Sequence, residues 1–85
     1  MRTTFVLSFN EEASALAAAV ILNRRAFEVR VVGPGGGIER WSVHALKDVP
    51  GPVISRGFGV IELQLGWLAR RLGGRYEGHD PEWRR

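Results

Sequence analysis

The chain has 85 residues, enough for one domain with one hydrophobic core but not for two cores and a linker. Hydrophobic residues make up 45% and charged residues 25%, the balance of an ordinary globular domain and not of a disordered or membrane protein. Zero cysteines exclude a disulfide framework, a thiolate zinc site and a cysteine nucleophile together, and the net charge of +3 is a mild, arginine-borne excess spread along the chain.

Thr3 to Phe9 is rich in β-branched and aromatic residues and has no Gly or Pro. Phe5, Leu7 and Phe9 alternate there with Thr4, Val6 and Ser8, which predicts a first strand. Asn10 offers a capping oxygen to a following helix, with Glu11 and Glu12 set against the positive end of its dipole. That helix places Ala13, Leu16, Ala17 and Val20 on one stripe expected to face the core, and it ends near Arg24 and Arg25. The apolar stretch from Ala13 to Leu22 is too short to span a bilayer, and the first residues lack the pattern of a signal peptide. A cytoplasmic protein without membrane contact is the expectation.

Phe27, Val29 and Val31 alternate with Glu28 and Arg30, so a second strand runs to about Val32, its charged outer face suited to a sheet edge. Gly33-Pro34-Gly35-Gly36-Gly37 turns the chain into a third strand from Glu39 to Leu46, and Lys47 to Pro52 reads as a loop. Phe58, Ile61, Leu65, Leu68 and Leu72 recur at steps of three and four, the period of a second helix, although Gly57 and Gly59 place its start as late as Val60. Gly73-Gly74 supplies a left-handed stop, and a short fourth strand covers Arg75 to Glu77.

The order βαββαβ predicts an α+β ferredoxin-like sandwich spanning residues 1–85 as a single domain, a four-stranded antiparallel sheet with two helices on one face. Phe5, Leu7, Phe9, Val29, Val31, Trp41 and Val43 are expected to meet the helices. Thr4, Ser8, Glu28, Arg30, Arg40, Ser42 and His44 are expected on the opposite, open face.

Leu68-Ala69-Arg70-Arg71-Leu72-Gly73-Gly74-Arg75-Tyr76-Glu77-Gly78 resembles the end of the regulator of ribonuclease activity B (RraB) family, where a last helix runs into a strand and closes with Tyr-Asp/Glu-Gly-Trp. Ala26-Phe27-Glu28-Val29 is similar to that family's Gly-Tyr-Glu-Val strand, and the likeness covers roughly Thr3 to Trp83. It implies a ferredoxin-like fold and a noncatalytic binding role, since the family's namesake binds and inhibits ribonuclease E. By position, Tyr76, Glu77 and Gly78 take the family's Tyr, acidic and Gly places, while His79 stands where the family has Trp. The namesake is strongly acidic and this chain is basic, so the fold and the binding role are what the resemblance carries over.

Other chemistry is less well provided for. Arg56-Gly57-Phe58-Gly59 matches the first four positions of the ribonucleoprotein-1 signature of RNA-recognition motifs, which stack bases on strand aromatics, but Val60 and Leu63 stand where aromatics are needed. Single-stranded RNA binding is therefore the alternative. Ser55 to Gly59 could expose amides to an anion before a helix. An acylphosphatase would need an arginine-bearing glycine loop after the first strand, where this chain has Asn10-Glu11-Glu12. No serine sits in a nucleophile elbow, and His79, Asp80 and Glu82 lack metal-site spacing.

The reading is a noncatalytic regulatory domain with no cofactor, no metal and no catalytic residue. It binds a protein partner, a ribonuclease being the class the resemblance names, through Arg30, Arg40 and His44 on the open face and a rim of Tyr76, Glu77 and His79. Edge pairing through the second or fourth strand offers a route to a homodimer.

Overall fold

The computed structural model describes residues 2–35, 37, 39–49 and 56–81. Strand β1 (Arg2–Phe9) leads into helix α1 (Glu12–Arg24). Strands β2 (Glu28–Val32) and β3 (Trp41–Asp48) follow, then helix α2 (Arg56–Arg71) and strand β4 (Arg75–Pro81). The strands form one sheet in the order β2-β3-β1-β4, every neighbouring pair antiparallel. This is the α+β ferredoxin-like arrangement.

Alternation along β1 decides which face is buried. Phe5, Leu7 and Phe9 are fully buried and join Val43 and Ala45 of β3, Ala15, Ala18 and Leu22 of α1, and Phe58, Leu65 and Ala69 of α2 in one core. Val29, Val31, Trp41 and Tyr76 close its margins. Aromatic contacts tie the layers together: Phe5 meets Phe27 edge-on at 6.2 Å between ring centroids and Phe58 in a tilted arrangement at 5.5 Å. Both helices thus cover one side of the sheet, and the even-numbered residues of β1 and β3 point to the other.

Helix α1 departs from the expected stripe. Ala15, Ala18 and Leu22 face the sheet, whereas Leu16 and Val20, expected in the core, are 48% and 54% exposed. The helix is apolar nearly all round, so periodicity alone did not select a face. Alanine against the sheet lets the helix axis come close, and that packing made the choice. Nor does Asn10 cap it: Glu11 takes the N-cap position in an extended conformation without a side-chain hydrogen bond. The Asn10 amide oxygen instead accepts a hydrogen bond from Arg40 at 2.7 Å.

Helix α2 follows its predicted stripe and begins earlier than the glycines suggested. Phe58 and Leu65 are buried, with Ile61, Leu68 and Leu72 packed at the margin. It ends in a Schellman turn: the Gly73 amide donates to the Arg70 carbonyl at 3.2 Å, and that of Gly74 to the Ala69 carbonyl at 2.7 Å. Gly73 has φ +78°, and a Cβ on Gly74 would fall on the Phe9 ring and the Ser8 carbonyl. Both glycines of the pair are required, the first by conformation and the second by space.

β4 runs further than Arg75–Glu77, through Pro81. Its pairing with β1 steps from Val6↔Gly78 to Leu7↔Tyr76, so Glu77 is the extra residue of a β-bulge, with Gly78 at φ +123°. The expected loop from Lys47 to Pro52 falls partly in β3, which includes Lys47 and Asp48. Residues 50–52 lie outside the described residues.

Candidate functional site

The helix-free face is built of rows set by strand register. The central row is Gly78, Val6, His44 and Arg30, from β4 through β1 and β3 to β2. On one side of it lie Ser8, Ser42 and Val32, on the other Thr4, Leu46 and Glu28. Val6, His44 and Leu46 are half-buried and Arg30 is exposed. Gly78 leaves the β4 end of the central row without a side chain, so Val6 is flanked by open space there. Thr4 and Ser8 lie on this face but are almost fully buried under their neighbours.

One end of the face is a closed polar network around Ser8. The Ser8 hydroxyl donates to the Glu77 carboxylate at 2.5 Å and accepts from Arg40 Nε at 3.1 Å. Arg40 reaches further, to the Ser8 carbonyl at 3.3 Å and to Asn10, while Arg75 Nε stands 3.4 Å from Glu77. Arg40 and Glu77 are therefore held in fixed geometry by their own chain. At the other end Arg2 pairs with Glu28 across β3. Arg30 has no ion-pair partner among the described residues, which makes it the cation of this face most available to a ligand.

The predicted rim is divided between two faces. Glu77 lies on the open face, but Tyr76 and His79 turn to the helix side, opposite the core residues Leu7 and Phe5. Strict alternation would put residues 76 and 79 on opposite faces, and the bulge at Glu77 brings them to the same one. There they meet Glu62, the single acidic residue of α2. Glu62 Oε2 accepts from the Tyr76 hydroxyl at 2.5 Å and stands 3.1 Å from His79 Nδ1. The His79 imidazole meets the Phe58 ring edge-on at 4.7 Å. Burial, then the hydrogen bond and the charge of Glu62, push the Tyr76 phenol far above its ordinary range. The cluster clasps the edge strand to α2, with one carboxylate serving two donors. Glu62 was absent from the sequence reading; its one signal was its place as the lone acid beside the apolar stripe of a basic helix.

Arg30, Arg40, His44 and Glu77 thus share the open face, while Tyr76 and His79 belong to a separate cluster behind β4. The octet resembling an RNA-binding signature, Arg56 to Leu63, forms the first turns of α2, and Phe58 is buried in the core. The open face presents no Phe, Tyr or Trp from β1 or β3, because Trp41 points to the core side with Phe9. No stacking platform of the RNA-recognition type exists among the described residues. In the glycine segment expected to expose amides to an anion, Gly57 and Gly59 lie within α2, and Ser55 is outside the described residues. Of His79, Asp80 and Glu82, Glu82 is likewise outside, and no group of three metal-ligating side chains occurs among the described residues. Among the described residues no helix is long and apolar enough to cross a membrane. Comparison with known protein families, curated proteins and solved structures finds no match for this chain.

Proposed function

We propose that this chain is a noncatalytic regulatory module of the RraB-like kind that binds an acidic protein partner through the open face of its sheet. The observation that carries the reading is the central row: half-buried Val6 and His44 beside exposed Arg30, with Leu46 adjoining, on a face that neither helix covers. A small apolar centre next to a cation is how protein interfaces are composed, with arginine favoured and lysine disfavoured. The fixed Arg40–Ser8–Glu77 network gives that face a rigid end, so little ordering is needed on docking. The sequence resemblance supports a ribonuclease as the class of partner, and the basic charge of this chain favours an acidic surface on it.

The test is capture of partners on the immobilised chain, compared with a His44→Glu/Leu46→Ser variant of unchanged circular dichroism. The wild type is expected to retain an acidic protein that elutes with salt, and the variant to lose it. Addition of the chain is then expected to slow RNA cleavage by the captured partner. Equal retention of the same protein by the variant would remove the open face from the reading, and a partner whose cleavage is unaffected would remove ribonuclease inhibition.

A further inference from the structure

The two edges of the sheet are unequal. β4 is interrupted by the Glu77 bulge, by Gly78 at φ +123° and by Pro81, and each of these discourages addition of another strand. β2 pairs without a break from Glu28 to Val32, and it contains no glycine or proline. Among the described residues no strand lies on its outer side, so its outward N–H and C=O groups form a template for pairing. Beside it, on the helix side, α1 and β2 enclose a groove of about 360 Å³ lined by Ala19, Val20, Asn23, Arg24, Val29 and Val31.

The side chains of β2 identify what fits. Glu28 and Arg30 stand on the open face, and Val29 and Val31 on the helix side with the groove. When two β2 strands are laid antiparallel about a two-fold axis at Val29, Glu28 of each copy falls opposite Arg30 of the other. Val29 then meets its own mate at the groove, and Val31 faces Phe27. Shifting each strand by one residue puts Arg30 against Arg30 in one direction and Glu28 against Glu28 in the other. Opposite charges directly across a strand pair stabilise it and like charges destabilise it, so the charge pattern singles out one register. Glu28 already holds Arg2, and Arg30 of the second copy completes a chain of alternating charge. The two-fold axis supplies each match twice.

We propose that two copies of this chain associate through antiparallel β2–β2 pairing centred on Val29, joining their sheets edge to edge and leaving the open faces side by side. Sedimentation of the full chain over a concentration series reads this directly. The wild type is expected to pass from monomer to dimer. Glu28→Arg or Arg30→Glu alone sets two like-charged pairs across the junction and is expected to weaken the dimer about tenfold or more. Mixing the two variants restores both pairs and is expected to yield a heterodimer, which also shows that each variant is folded. The double variant Glu28→Arg/Arg30→Glu is expected to dimerise with itself again. A wild type that stays monomeric up to about 1 mM, variants that dimerise as well as the wild type, or a mixture that fails to associate would each overturn the proposal. Arg30 serves both readings, so partner capture is tested separately at His44 and Leu46, which lie on β3 away from the junction.

Discussion

Tyr76 shows how one residue's neighbours set its chemistry. It is the only tyrosine of the chain, and its hydroxyl is spent on the Glu62 carboxylate. In the unfolded chain it ionises near its ordinary value of about 10, whereas burial and Glu62 hold the proton on in the fold to higher pH. The contribution to stability is therefore fully present below about pH 10 and declines as pH rises beyond it, because the unfolded chain loses its proton first. A phenolate absorbance titration of the wild type is expected to show ionisation well above pH 10, together with unfolding. Glu62→Gln is expected to move the midpoint back toward the ordinary value, and an unshifted wild-type titration would contradict the clasp. Of this cluster only Tyr76 and His79 are legible in the sequence, as members of an expected partner-binding rim, and Glu62 is not. Their orientation was not, because a bulge is a property of the pairing between β1 and β4 and leaves only Gly78 as its trace in the sequence.

The helices show when periodicity informs. In α2, Val60, Leu63 and Trp67 stay outside, but the apolar residues recur most regularly along one side, and the predicted stripe of Phe58, Ile61, Leu65, Leu68 and Leu72 is the one the sheet receives. In α1, alanine and leucine occur on all sides, and only contact with β2 and β3 determines that Leu16 and Val20 remain outside. Phe58 is 2% exposed and Leu63 is 74% exposed on the same helix, which gives a paired expectation. Phe58→Ala should destabilise the protein by about 3–5 kcal/mol, as for other buried phenylalanines, whereas Leu63→Gln should stay within about 0.5 kcal/mol. Urea denaturation of both variants checks it. Comparable losses would mean that α2 presents another face to the sheet.

At the scale of the molecule, a single core receives side chains from both helices and from all four strands. No boundary within it would let one half melt before the other, and an 85-residue chain with one core is expected to unfold in a single transition. Denaturation followed by far-UV circular dichroism and by tryptophan fluorescence should give coincident curves, with Trp41 reporting from the sheet and the exposed Trp67 from α2. Separated curves would show that α2 opens independently. What the amino-acid sequence determined by itself was the order of elements, the sheet's inner face and the α2 stripe, because these rest on local periodicity and on glycine stops that act within a few residues. Tertiary structure alone decided the face of α1, the turning of Tyr76 and His79 to Glu62, and the locking of Arg40 by Ser8 and Asn10. Each of those depends on a partner at least fourteen residues away along the chain or on packing between elements, and local pattern carries no record of which distant group will arrive.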